Sequence, residues 1–178
     1  KKVMLVVLTS DRGLAGAFNS NICRAAFKRW KELEAQGSEV CFGIIGRKGR
    51  DQLRRDYAQY FIGHVDLGQV RRVGYGEAHD IAQDILARFD AGEFDIATLF
   101  YNEFKSVISQ IPTEQRLIPA AVGEAADEDA RPVNYEYEPD EDEILADLLP
   151  QNLAVQIFRG LLENAASEQG ARMSAMDN

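Results

Sequence analysis

The sequence has few of the residues that carry metal, redox or disulfide chemistry. It contains two cysteines and two histidines among 178 residues. Neither type occurs at the spacings of a zinc site, and two cysteines are too few for a disulfide framework. We therefore predict no metal site, and we expect Cys23 and Cys41 to be reduced and to pack as small hydrophobic residues.

Long apolar runs and positive surface charge are also scarce. No run approaches the ~20 apolar residues of a membrane-spanning helix. The formal net charge is −9, yet ten of the 29 acidic residues fall between Glu124 and Glu143, and the rest of the chain is balanced. Because nucleic-acid binding needs a basic stripe, nucleic acid is not an expected partner.

The common nucleotide and nucleophile motifs are absent. Gly13-x-x-Gly16 follows the first apolar run, but the chain has no G-x-G-x-x-G, G-K-[ST] or G-x-S-x-G. The loop over residues 10–19 is either a phosphate cradle or a structural strand-to-helix turn. The same alternatives apply to the glycines and basic residues of 43–49. The residues favour turns in both places, and we predict no catalytic residue and no cofactor.

What the sequence does contain is a repeated alternation of strand and helix patterns. Nearly continuous apolar runs predict buried parallel strands, and apolar residues every three or four positions predict helices between them. Strands are expected over 3–8, 40–45, 60–65 and 95–101. Helices are expected over 18–36 and 75–91, and a short helix is expected to begin near residue 47. Extended segments follow over 107–111 and 116–118, broken or bent at Pro112. The pattern predicts an α/β fold with a Rossmann-like, mostly parallel sheet and flanking helices.

The last part of the chain predicts the start of a long C-terminal helix. We divide the chain into a Rossmann-like domain over 1–139 and this helix over 140–178, with a kink or a new start at Pro150. Apolar residues recur at Leu153, Ile157, Leu161 and Ala165, and we expect this seam to pair with a helix that lies outside the sequence. Helix stop signals are missing near residue 178, so we expect the sequence to be part of a longer chain.

Five stretches, in order, resemble the gamma subunit of F-type ATP synthases. Residues 10–21 (SDRGLAGAFNSN) are similar to its T-S-D-R-G-L-C-G-G-F-N-S-N signature. Residues 43–49 match its G-x-K/R-G turn, 100–106 its Y-N-x-F-x-S junction, and 135–139 its Y-x-Y-E-P-D stretch. Residues 163–173 resemble its E-x-A-S-E-x-A-A-R-M helix. The chain has Ala15 where the family often has Cys, and it lacks the regulatory cysteine pair of the chloroplast type.

The resemblance implies a rotor subunit that is not itself an enzyme. Its partners would be the catalytic alpha/beta hexamer, the epsilon subunit and the membrane c-ring. It would lie at the cytoplasmic face of a bacterial plasma membrane or the matrix face of the mitochondrial inner membrane. Coupling of proton flow to ATP synthesis or hydrolysis is the implied function.

The resemblance also implies which residues meet these partners. By matching position, Asp11, Arg12 and Ala15 would lie toward a catalytic beta subunit. Glu168 and Arg172 would belong to a lower coiled coil, where Arg172 pairs with acidic loops of the hexamer. Three residues would face the c-ring and epsilon, namely Tyr135, Tyr137 and Glu138.

Two other functions stay open from the residues alone. One is a flavodoxin-like enzyme or binding module that holds a nucleotide or flavin phosphate in the loop from Gly13 to Gly16. The other is a free-standing scaffold protein.

Overall fold

The computed structural model describes residues 1–57, 61–65, 74–119 and 141–177. It contains five strands and four helices within those ranges. In chain order they are β1 Lys2–Leu8, α1 Phe18–Ala35, β2 Glu39–Ile45, α2 Arg47–Tyr57, β3 Phe61–Val65, α3 Tyr75–Asp90, β4 Ile96–Ser106, β5 Ser109–Ile118 and α4 Glu141–Asp177. The expected alternation of strands and helices is confirmed. The acidic segment over 124–131 and the expected strand over 133–138 lie outside the described residues.

The strands form one five-stranded sheet in the order β3-β2-β1-β4-β5. Four neighbours in a row, β3, β2, β1 and β4, are parallel, and β5 is antiparallel to β4. The predicted α/β fold with a mostly parallel sheet is therefore confirmed. β2 and β3 follow β1 on one side of it in the sheet, whereas β4 lies on the other side of β1. A topological switch point therefore lies between β1 and β4.

Helices cover both faces of the sheet, which explains why the central strands are almost uniformly apolar. One face of β1 packs with α1 and β2, and this core includes Ile22, Trp30 and Phe42. The opposite face packs with α3 and α4, and its core includes Leu99 and Ile157. The result is a three-layer arrangement with the sheet in the middle.

β5 runs through Pro112 as one strand, so of the break or bend expected there the break is wrong. Pro112 lies opposite Asn102 in the β4–β5 ladder. Both backbone polar groups of Asn102 bond to side chains of α4, away from β5. The pair is therefore a non-hydrogen-bonded one, and a proline that lacks an N–H fits at this position of an edge strand.

α4 is one helix from Glu141 to Asp177 with Pro150 inside it. Of the kink or new start expected at Pro150, the new start is therefore wrong. Leu153, Ile157 and Leu161 are buried against the chain's own sheet and α3. For these three residues the expectation of a partner helix from elsewhere is therefore wrong, because the sheet and α3 already cover them. Ala165, the fourth residue of the expected seam, is exposed.

Candidate functional site

The loop between β1 and α1 lies at the carboxyl edge of the sheet and is held by its own side chains. Ser10 and Asn19 are both buried and bond each other twice. The Ser10 N–H donates to Asn19 Oδ1 at 2.9 Å, and Asn19 Nδ2 donates to Ser10 Oγ at 2.9 Å. Ser10 Oγ in turn donates to the carbonyl of Arg12 at 2.7 Å. These hydrogen bonds within the chain fix the conformation of the loop.

The same loop occupies the N-terminus of α2. Three successive backbone N–H groups donate to it: Arg47 to Asp11 Oδ1 at 2.8 Å, Lys48 to the carbonyl of Ser10 at 2.9 Å, and Gly49 to Thr9 Oγ1 at 2.9 Å. A helix N-terminus favours a negative charge, and here the carboxylate of Asp11 supplies it. The donors that a phosphate would use are thus already engaged by the chain.

Gly46 makes this close approach possible. Its φ is +102°, and a Cβ there would lie 2.4 Å from Thr9 Oγ1 and 2.5 Å from the Thr9 carbonyl oxygen. The glycine therefore serves contact between two segments of the chain. This supports the structural reading of residues 43–49.

The C-terminal half of α4 passes over the switch point between β1 and β4. Arg172 Nη2 lies 3.4 Å from the Gly13 carbonyl oxygen in the β1–α1 loop, and Ala171 packs with Ala15 and Phe18. Arg172 also pairs with Glu168, one turn earlier, at 2.6 Å. Doubly wound folds bind nucleotides in the crevice at this edge, and here α4 covers it.

The residues that the resemblance assigned to partner contacts differ in how exposed they are. Arg12 is exposed, and Asp11 is half-buried where it binds α2. Ala15 is 3% exposed and packs inward, so it supports the loop but does not present a surface to a partner.

The other assigned residues are less accessible to a partner or lie outside the description. The side chains of Glu168 and Arg172 are 21% and 14% exposed and bond within the chain. Arg172 Nη1 is buried without a hydrogen-bond partner in the described part of the chain. Tyr135, Tyr137 and Glu138 lie outside the described residues.

Leu14 is a surface residue that the sequence reasoning did not single out. It is 84% exposed and has a φ of +64°. A left-handed backbone at a residue other than glycine costs roughly 1–2 kcal/mol. A strained, exposed leucine at a loop tip is a candidate contact residue. Its only sequence signal was its place between Gly13 and Gly16.

Chemistry-bearing clusters are not found in the part of the chain that the structure describes. No group of three or more metal-ligating side chains occurs there. In the same ranges, none of the helices has the length and hydropathy to cross a membrane. Cys23 and Cys41 are free thiols, and burial raises their pKa to about 12 and about 11. Such thiols are poor nucleophiles.

Comparison with known sequences gives consistent matches over the chain. A family model described as ATP synthase matches residues 1–178. An ATP synthase gamma chain of Dinoroseobacter shibae is 60% identical over 98% of this chain, and one of Paracoccus denitrificans is 57% identical over all of it. The chain spans 60% and 61% of the length of these two curated relatives.

Two solved structures of mitochondrial ATP synthases contain chains with the same fold. A chain in the central stalk and c-ring structure of Tetrahymena thermophila mitochondrial ATP synthase is 26% identical, with a TM-score of 0.77. The match extends over all of the present chain and over 76% of the Tetrahymena chain. A chain of the Euglena gracilis rotor, 18% identical with a TM-score of 0.78 and 66% of its length covered, shares the fold. On the sequence matches, the chain belongs to the family of ATP synthase gamma chains.

Proposed function

We propose that this chain is the sheet-containing part of a central-stalk rotor subunit of an F-type ATP synthase. The observation that carries the proposal is the near 60% identity to gamma chains over nearly the whole sequence. The subunit transmits rotation between the membrane c-ring and the catalytic alpha/beta hexamer, and so couples proton flow with ATP synthesis or hydrolysis. It is not catalytic itself, and it is peripheral to the membrane, at the cytoplasmic or matrix face.

A mechanical role agrees with how the carboxyl edge of the sheet is built. The three N–H donors at the start of α2 bind Thr9, Ser10 and Asp11, and α4 covers the crevice at the switch point. These contacts join the sheet, the β1–α1 loop and α4 into one rigid unit. It favours the rotor function over the flavodoxin-like alternative, whose ligand would need the same donors.

α4 also presents a second face that suits pairing with another helix. Exposed residues recur at alternating intervals of three and four positions: Val155, Arg159, Leu162, Ala166, Gln169, Met173 and Met176. This is the spacing of a coiled-coil seam. We propose that the partner is a helix of the same polypeptide, from the part of the gamma chains that this sequence does not span. The seam differs from the one that the sequence analysis assigned.

The exposed loop tip is the proposed contact with the catalytic hexamer. Arg12 and Leu14 are exposed there, while Asp11 and Ala15 hold the loop in shape. Glu168 and Arg172 fix α4 to the loop, and so determine where Arg12 and Leu14 are presented. Tyr135, Tyr137 and Glu138 remain proposed contacts with epsilon and the c-ring.

Assembly of the full-length chain tests this function. The chain, coexpressed with alpha, beta and epsilon subunits, should copurify as one copy per hexamer. Arg12→Ala combined with Leu14→Ala should weaken this assembly, whereas Lys31→Ala, an exposed change on α1, should not. Absence of stable assembly with the hexamer would contradict the proposal.

Calorimetric titration with ATP, NAD and FMN tests the alternative function. We expect no heat of binding at micromolar ligand, because the N–H groups of Arg47, Lys48 and Gly49 are already bonded. Micromolar binding that Asp11→Ala strengthens would instead favour a phosphate site at this loop.

A further inference from the structure

One edge of β4 loses its partner strand halfway along. β1 pairs with β4 only where Val3–Val7 lie beside Ile96–Phe100, while β4 itself continues to Ser106. Residues two apart along a strand direct their backbone N–H and C=O groups to the same edge. The edge that Phe100 presents to β1 is therefore continued by Asn102 and Phe104, beside which no strand lies in the described ranges. Backbone groups buried at such an edge need other partners.

Side chains of α4 take the place of the missing strand. Asn164 Oδ1 accepts from the Asn102 N–H at 3.0 Å, and Ser167 Oγ donates to the Asn102 carbonyl at 2.9 Å. Glu163 Oε2 accepts from the Phe104 N–H at 2.8 Å. Asn102, Asn164 and Ser167 are all buried. Three backbone groups on this edge, the Asn102 N–H, the Asn102 carbonyl and the Phe104 N–H, thus bond to side chains of the helix.

The neighbouring contacts extend this attachment in both directions. Asn102 Nδ2 donates to the carbonyl of Phe18 at the start of α1, at 3.4 Å. Ser174 Oγ donates to the carbonyl of Val107 in the β4–β5 turn, at 2.8 Å. Gly170 permits the turn to approach, since a Cβ there would lie 3.2 Å from the Val107 oxygen.

The two halves of α4 are held to the sheet by different forces. Leu153, Ile157 and Leu161 make apolar contacts, which are non-directional. The hydrogen bonds of residues 163–167 are directional and register-specific. A slip of one residue moves a helix by about 1.5 Å and about 100°, and so breaks all three bonds.

We propose that Glu163, Asn164 and Ser167 form a coupling joint that fixes the axial and rotational register of α4 against β4. They are positioning residues, since they act on the backbone of the sheet and not on a partner. The inference rests on the proposed rotor function, in which a twist of α4 must move the sheet without slippage. It adds to that function the residues through which the twist passes.

Amide hydrogen exchange of the full-length chain tests the joint directly. Asn164→Ala should make exchange at Asn102 about tenfold faster, because its acceptor is lost. At Phe104, Glu163→Ala should have the same effect, whereas Glu163→Gln should keep the protection because it retains an acceptor oxygen. Asn152→Ala, the same chemical change at an exposed position of α4, is the control. Unchanged exchange at both amides overturns the joint.

Coupling in the assembled complex separates a joint from a merely stabilising network. Asn164→Ala combined with Ser167→Ala should lower the ratio of protons pumped to ATP hydrolysed at least about twofold at a temperature where the variant stays folded. Asn152→Ala should retain the ratio. Faster exchange with an unchanged ratio overturns the coupling role. Failure of the unmodified chain to support pumping overturns the proposed function instead, while the exchange result is read independently.

Discussion

The carboxylate of Asp11 accepts a hydrogen bond from the backbone N–H of Arg47 at 2.8 Å. The first turn of α2 is thereby capped by an anion that belongs to the β1–α1 loop. A bound phosphate would have to displace this carboxylate and would compete with its favourable interaction with the helix dipole. From the sequence, the β1–α1 loop could be either a turn or a phosphate cradle. In the structure it connects β1 with α2 and α4, and its own groups bond to the N–H donors that a phosphate would need.

Removal of this cap should destabilise the chain. Asp11→Ala is expected to lower the free energy of unfolding by about 0.5–2 kcal/mol, as for other lost helix caps. Asp11→Asn retains an acceptor oxygen and should lose less. Urea denaturation monitored by circular dichroism gives both values. Equal losses for the two variants would mean that the charge of Asp11, and not the hydrogen bond, stabilises the junction.

Leu14 should affect stability and assembly in opposite directions. Leu14→Gly relieves the left-handed strain, so the free energy of unfolding should stay constant or rise by up to about 1 kcal/mol. Its affinity for the catalytic hexamer should nevertheless fall, because the exposed side chain is gone. Leu14→Ala keeps the strain and removes the contact, and serves as the comparison. Undiminished affinity in both variants would exclude Leu14 as a contact.

The pair of Arg172 and Glu168 should contribute to stability as well as to the position of the loop. The two side chains are 14% and 21% exposed, so neither charge is well solvated when the other is removed. We expect Arg172→Ala to cost about 1–3 kcal/mol, between the values for exposed and buried pairs. A double-mutant cycle with Glu168→Gln measures the coupling. A coupling energy near zero would show that Arg172 acts only through the Gly13 carbonyl.

The two thiols should be unreactive in the folded chain at ordinary pH. Burial raises the pKa of Cys23 to about 12 and that of Cys41 to about 11 from 9.0. Both groups bind protons more tightly when folded, so their contribution to stability is present below pH 9 and is lost as the pH rises toward 11 and 12. Iodoacetamide should modify Cys23 only on unfolding. Rapid modification of folded chain at neutral pH would contradict the assigned burial.

The sequence predicts the layers of the fold because they depend on local pattern. Apolar runs such as 3–8 and 40–45 identify buried strands, and Phe18, Ile22 and Trp30 recur at helical spacing. The orientation of α4 could not be predicted in the same way. Apolar residues lie on two of its faces, and only the placement of β4 decides which face packs on the sheet.

The polar contacts of the site were not predictable from the sequence either. Asn164 and Ser167 look like ordinary surface residues of a helix, yet their partner Asn102 lies 62 and 65 residues away. Burial of such residues depends on where β1 ends relative to β4, which is a property of the assembled sheet. The resemblance drew attention to the β1–α1 loop, but only the structure shows that Ala15 is buried and Leu14 exposed there.

Rotation of the chain within the catalytic hexamer tests the central claim most directly. A bead or rod would be attached to the full-length chain through a cysteine introduced at Lys105, an exposed position on β4, with the hexamer fixed to a surface. Addition of ATP should produce unidirectional, stepwise rotation of the probe, and inhibition of hydrolysis should stop it. Sustained hydrolysis by the assembled complex with a stationary probe would contradict a rotor function for this chain.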